Sequence, residues 1–504
     1  MDCNVTRKSG ILLHPTALPG PYGIGEIGPH AYRFIDHLSD MGQGLWQILP
    51  IGPTDFHNSP YSSISTFAGN PLLISLDLLA ENGLLDSDCL NSYKKFKPDK
   101  ILFDDVINFK LPILKQISRN FNIDASEEMK ISFEKFCVNN SYWLDDYSRY
   151  WALKEENDQK SWIDWRSKTV QNTESVHEAK VIQFLFHDQW HSLRQYCREK
   201  RIQIIGDMPI YVGYDSADVY ANRELFQLDS LNRMTFQGGC PPCDYQEEGQ
   251  LWGCPLYYWK NHEKTNFEWW QLRFKKLFEM VDIIRLDHFI GYSKYYSIPI
   301  SDQTGHNGEW IHAPGDKLFQ ILKSTIIDLN VFVEDLGDVT EEVISLRDKY
   351  NLQGMRVLQF ELDKMLPVED FSLNSVVCTG THDNNTLLGW FELLPEKSKN
   401  KSILTKYKLL QYFQCTNKNI HWEIINYALS TISNTVTIPL QDILGKNSSG
   451  RFNVPGTLSS NNWSWRMKEE NLSQSIKIKL AEITKHHKRN GSEVNNLLEG
   501  KAKP

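Results

Sequence analysis

Nowhere in this chain does an apolar run reach the roughly 18 residues that a membrane-spanning helix needs; polar or charged residues interrupt each run well short of that. The opening Met1-Asp2-Cys3-Asn4-Val5-Thr6-Arg7-Lys8 also lacks the apolar core of a secretory signal. Both absences lead to the expectation of a cytoplasmic protein with no membrane partner. Positive charge is in deficit: 54 Lys and Arg against 63 Asp and Glu leave a net charge of −9, so no long-range attraction favours nucleic acid. Cysteine is scarce, and an odd count of nine spread over 504 residues fits reduced thiols better than a disulfide framework. There is no tandem repeat and no low-complexity tract.

What is present is ample apolar material, 41% of a long chain, enough for one large core. Aromatic residues make up 12% and suit either that core or stacking against the C–H faces of sugars. Ala31, Phe34, Ile35 and Leu38 recur at helical spacing just before a short apolar run, Leu45 to Leu49. The same unit returns where Ile182, Leu185, Phe186, Trp190, Leu193 and Cys197 lead into Ile202 to Asp207. Further runs at Val281 to Ile284, Val331 to Val333, Met355 to Phe360 and Val376 to Cys378 are each separated by enough chain for a crossover helix. Uninterrupted apolar runs are the mark of parallel strands buried on both faces, so the sequence predicts a parallel α/β architecture. Charged, helix-favouring sequence between about residues 80 and 180 reads as a helical insertion, residues 211 to 262 as a smaller lid of loops, and the polar stretch 485–504 as a frayed tail beyond a single catalytic unit spanning 1–484.

Four of these runs end in a carboxylate: Gly206-Asp207, Arg285-Leu286-Asp287, Glu334-Asp335 and, after Val376 to Cys378, Thr381-His382-Asp383. Acidic residues after strands can simply cap the next helix. Four at equivalent ends would converge on the C-terminal rim of a (β/α)₈ barrel, where they suit acid/base or nucleophilic chemistry or a divalent metal. Period-2 alternation puts Arg285 and Asp287 on one face, so the guanidinium is expected to keep Asp287 ionised. It also separates Glu334 from Asp335, leaving Glu334 in the pocket with a raised pKa, fit to deliver a proton. Aromatic residues in Gly/Pro-rich loops, Tyr61 and Trp252, are expected to face a ligand, whereas Trp463 and Trp465 are expected to cover a barrel end.

Two other patterns look chemical. Gly23-Ile24-Gly25-Glu26-Ile27-Gly28 matches a dinucleotide fingerprint in spacing only, since no strand precedes it and Pro29 follows. Cys240-Pro241-Pro242-Cys243, with Cys254 and His262 downstream, has the first step of a zinc or redox site but no second pair.

Taken together, Ser9-Gly10-Ile11-Leu12-Leu13-His14-Pro15-Thr16, Ser59-Pro60-Tyr61, Phe67-Ala68-Gly69-Asn70-Pro71, Trp143-Leu144-Asp145-Asp146-Tyr147, Gly206-Asp207-Met208-Pro209, Gly249-Gln250-Leu251-Trp252-Gly253, Arg285-Leu286-Asp287-His288-Phe289, Glu334-Asp335-Leu336-Gly337 and Gly380-Thr381-His382-Asp383-Asn384 resemble, in order, the motifs of the 4-α-glucanotransferases, or amylomaltases. The resemblance implies an α-amylase-type TIM barrel without that clan's separate C-terminal β-domain. It implies Asp287 as nucleophile, Glu334 as general acid/base and Asp383 as the carboxylate on the sugar hydroxyls. Tyr61 is implied as the ring on the reacting glucose, and Asp207, Trp252, Arg285, His288 and His382 as its polar and lid contacts. The implied partners are α-1,4-glucans and malto-oligosaccharides, with no cofactor and no metal. The implied reaction is retaining, for which the two carboxyls should stand about 5–5.5 Å apart. A hydrolase of the same clan and a silent glucan-binding protein are the competing readings. Cys243 stands where the family usually has an acidic residue, and Cys254 replaces a common Asn.

Overall fold

A computed structural model describes residues 7–91, 95–243, 246–400 and 403–490. Eight parallel strands close into a barrel in chain order: β1 (Lys8–Leu12), β2 (Leu45–Gln47), β3 (Gln203–Met208), β4 (Ile283–Leu286), β5 (Val331–Val333), β6 (Gln353–Val357), β7 (Ser375–Cys378) and β8 (Thr435–Pro439). β8 returns to pair with β1, Ser9 opposite Val436 and Ile11 opposite Ile438. This is the (β/α)₈ fold the sequence predicts, reached with two strands that the apolar runs do not reveal. β1 contains only two large apolar residues, and β8 alternates Thr with Val and Ile, so neither reads as a continuous run. Gly10 explains part of that polarity: a Cβ there would lie 2.3 Å from the Leu45 Cβ of the neighbouring strand.

The helix ahead of β2, α1 (Pro29–Asp40), buries Ala31, Phe34, Ile35 and Leu38, as their spacing requires. The run from Met355 splits, its last residues forming the short helix Leu358–Glu361 after β6. Between β2 and β3 lie α2 (Phe103–Asp124), α3 (Glu127–Asn139), α4 (Ser141–Glu156) and α5 (Thr173–Glu199), the last running back into the barrel. Between β3 and β4 come α6 (Ala217–Ala221) and α7 (Glu268–Met280).

The stretch expected as a lid of loops is in part a sheet. Strands Phe236–Cys240 and Gln250–Pro255 pair antiparallel, and Lys294–Pro299 and Glu309–His312 extend them to four. Gly238, Gly239 and Gly253, with a proline-rich turn, hide the pattern in the sequence. His262, the distant member of the proposed cysteine cluster, is buried against Tyr257 and Trp259 with Nε2 3.1 Å from the Leu225 carbonyl. It is a core histidine. No further strand follows β8 among the described residues. Order also persists past residue 485: helix Gln474–His486 is followed by Arg489, fully buried and donating to the carbonyls of Leu429 (2.6 Å) and Thr431 (2.7 Å). The rest of the expected tail, 491–504, lies outside the described residues.

Candidate active site

The C-terminal ends of β3, β4, β5 and β7 bring Asp207, Asp287, Glu334 and Asp383 to one rim, with Arg285 at its centre. The Arg285 guanidinium is 2% exposed. Its Nη1 lies 2.7 Å from both oxygens of Asp207 and 3.2 Å from Asp287 Oδ1, and its Nη2 is 3.0 Å from Glu334 Oε2. One cation therefore serves three carboxylates, Asp207 fully buried and Asp287 and Glu334 each 23% exposed, and one of these stands farthest from it.

That group is Asp287. Burial and the neighbouring Glu334 push its carboxyl well above the usual range, and Arg285 does not offset them. Burial pushes Glu334 up too, but Arg285 and the His288 backbone N–H, which donates to Oε2 at 2.8 Å, outweigh it and hold the group below its ordinary value. This ordering reverses the expectation from sequence alternation. β4 stops at Leu286, so Asp287 already lies in the turn, where His288 has a left-handed backbone (φ 46°). The guanidinium consequently sits closer to Asp207 and Glu334. Each of the two carboxyls acts on the other's pKa, so they are close neighbours beneath the guanidinium. Asp335 points the other way, as alternation requires, accepting from Arg347 Nη1 (2.6 Å) and Met355 N (2.7 Å).

Tyr61, from the irregular loop after β2, donates its hydroxyl to Asp207 Oδ2 at 2.7 Å. Its ring stacks on His382, with centroids 4.9 Å apart and planes 20° apart. Trp463 is buried beside both rings. Burial also acts on Asp383, but His382, Asn453 and Arg285 prevail and hold its carboxyl at about 2. Asn453 Nδ2 reaches Oδ1 at 2.7 Å, and Arg451 Nη2 donates to the Asp383 carbonyl at 2.6 Å. Sequence reading missed these two holders; they sit in the loop beyond β8, a strand it also missed.

Across the cleft, Trp252 on the antiparallel sheet meets the His288 ring edge-on at 4.8 Å. His288 Nε2 is buried without a partner, as a group awaiting a ligand hydroxyl would be. Burial pushes the Cys240 and Cys254 thiols up to about 12, with nearby carboxylates adding to it, so both stay protonated. Cys243 is exposed in a turn closed by reciprocal backbone bonds with Gln246; Asp244, next to it, lies outside the described residues. The sequence-selected residues Tyr61, Asp207, Trp252, Arg285, His288, Glu334, His382 and Asp383 thus surround one cleft with Asp287.

A model of the 4-alpha-glucanotransferase family matches residues 13–473. The 4-alpha-glucanotransferase of Synechocystis sp. is 41% identical over 499 residues, which cover 95% of this chain and 97% of that one. The enzyme of that name from Clostridium butyricum is 39% identical, with 94% of this chain and 99% of that one covered. Among solved structures, the amylomaltase from Streptococcus agalactiae in complex with acarbose has a TM-score of 0.90 at 34% identity, covering 96% of this chain and 99% of that one. With a barrel of the same form and a carboxylate at four of its strand ends, this chain belongs to the 4-alpha-glucanotransferase family of glycosyltransferases.

Proposed function

We propose that the protein transfers a segment of an α-1,4-glucan to the 4-hydroxyl of an acceptor glucose or glucan by double displacement, with a covalent glycosyl-Asp287 between the two steps. The observation that carries this reading is the Asp287–Glu334 pair beneath Arg285, two mostly buried carboxyls within reach of one guanidinium at 3.2 and 3.0 Å. A donor chain inserts its scissile bond between the pair and separates them. The glycosidic oxygen then gives Glu334 a base to protonate, and the positive charge developing at the anomeric carbon favours the ionised form of Asp287. The proton moves from where it rests to where it is needed. Attack by Asp287 breaks the C–O bond as Glu334 protonates the leaving chain. In the second half, Glu334 removes the proton from the acceptor 4-hydroxyl, and that oxygen displaces Asp287.

The other groups bind and orient. Asp383, held ionised, accepts hydrogen bonds from sugar hydroxyls, assisted by His382 and Asp207. Tyr61 lies against the reacting ring. Arg285 keeps the carboxylates in place, and His288 and Trp252 close the far side. The helices between β2 and β3 belong, in this reading, to the same catalytic unit as the barrel. No helix among the described residues is long and apolar enough to cross a membrane, and the described cysteines are all unbridged, which supports placing the protein with its glucans in the cytoplasm.

Incubation with maltotriose alone tests the reading. Glucose together with maltopentaose and longer chains is the expected product pattern. Glucose and maltose with no lengthened chain would establish water as the acceptor and a hydrolase in place of a transferase.

A further inference from the structure

The loop that carries Tyr61 has no named strand or helix between β2 and the short turn Pro71–Leu73; a single bridge, Thr54 with Ser63, closes the part around Tyr61, and beyond it the shape depends on what grips the chain. Thr66, five residues past Tyr61, is gripped from two sides. Its backbone N–H donates to Asp218 Oδ2 at 2.8 Å, and its hydroxyl accepts from Arg273 Nε at 2.8 Å. The same guanidinium donates to the carbonyls of Pro209 and, at 3.1 Å, Ile210, the residues that follow Asp207 out of β3. Arg273 therefore joins the Tyr61 loop to the Asp207 segment from behind, while the Tyr61 hydroxyl and Asp207 join them in front.

Both side chains are buried, Asp218 at 3% and Arg273 at 2% exposure. The guanidinium lies against the Trp269 and Trp270 rings, 5.4 and 5.2 Å from their centroids. Burial pushes the Asp218 carboxyl up to about 6 even with the Thr66 N–H and Arg273 opposing it. Apolar side chains would pack this space at least as well, because buried charges rarely add net stability. What they add here is a fixed geometry for an otherwise irregular segment.

We propose that Asp218 and Arg273 are positioning residues that, through Thr66, set the Tyr61–Asp207 hydrogen bond and with it the wall of the subsite for the reacting sugar. The proposal rests on the reading of Tyr61 and Asp207 as sugar contacts given above. Neither residue needs to touch the sugar to act.

Thr66→Val removes the hydroxyl at constant shape and leaves the N–H to Asp218; Thr66→Ser keeps both. Thr66→Val is expected to raise the KM for maltotriose about tenfold with kcat within about twofold, and Thr66→Ser to restore the wild-type value. In a Tyr61→Phe background Thr66→Val should add nothing, since the bond it disturbs is already gone. A crystal structure of Thr66→Val should show the Tyr61 hydroxyl out of reach of Asp207. A wild-type KM in Thr66→Val, an undiminished effect in the Tyr61→Phe background, or an intact Tyr61–Asp207 bond in that crystal structure would overturn the proposal. A wild-type KM for Tyr61→Phe alone would instead remove Tyr61 from the sugar contacts, and the Thr66→Val structure would still decide whether Thr66 sets the bond.

Discussion

Asp287 and Glu334 lie beneath a guanidinium that Asp207 also claims, with the pKa of the first pushed up and that of the second held down. In the proposed mechanism their roles differ, and Glu334→Gln isolates them. A donor with an alcohol leaving group needs the lost acid, and transfer from maltotriose should fall by at least about 10²-fold. An α-glucosyl fluoride needs no acid to leave, so its glucosyl group should still reach Asp287 and then persist, because the base for the second step is missing. Mass spectrometry of the digested variant should find one added glucosyl on the peptide containing Asp287. An unmodified peptide, or a label elsewhere, would sink the double-displacement reading. That these carboxylates meet at one rim was legible from strand ends and alternation. How their pKa values diverge was not, because that depends on distances from Arg285 to groups on three different strands, none of which a single strand's sequence contains.

Helix α2 docks on the segments that follow β1 and β2 through Lys110, which is completely buried. It donates to the carbonyls of Leu72 (2.8 Å) and Ile74 (2.7 Å) and pairs with Glu26. Burial pushes the Glu26 carboxyl up to about 7 despite this partner. Lys110→Ala strands Glu26 and two carbonyls and should cost about 3–5 kcal/mol in urea unfolding, whereas Lys110→Met with Glu26→Leu should recover most of the loss. Equal stability of the single and double variants would show that the pair does not bear the docking. Glu26 belongs to the glycine-rich run with the spacing of a dinucleotide fingerprint, and the structure explains those glycines by crowding. A Cβ on Gly25 would meet the Pro15 carbonyl at 2.0 Å. Composition announced the helices of this region well, since helix-favouring charged sequence needs no partner to be recognised. The antiparallel sheet carrying Trp252 stayed hidden because Gly238, Gly239 and Gly253 weaken its alternation.

Stability of the whole molecule should depend on pH through Asp442, which links the chain leaving β8 to the segments beyond β7. Its carboxylate accepts from Thr379 Oγ1 at 2.6 Å and from Leu387 N at 2.7 Å. Burial nevertheless raises it to about 7. A carboxyl with a folded pKa above its unfolded one, near 4, binds a proton in the folded state that the unfolded chain has released. Its contribution therefore falls as pH rises from about 4 to 7 and is level above that. Asp442→Asn has no such proton, so its stability relative to wild type should improve by about 2 kcal/mol between pH 5 and pH 8. A difference between the two proteins that does not change with pH would remove Asp442 as the source.

The barrel is closed by its first and last strands, which lie side by side, and Lys8 also bridges to Asn490. Of the eight, these are the two that apolar runs left unmarked, and each completes the other across more than four hundred residues. On the ribosome the consequence is one of timing. Lys8–Leu12 is made long before its partner and waits, with one edge unpaired, until Thr435–Pro439 has followed. Arg451 and Asn453, which fix Asp383, come later still. The growing polypeptide thus carries no finished glucan site until Asn453 has been added, and a chain released before Thr435–Pro439 would expose an open sheet edge in place of a pocket.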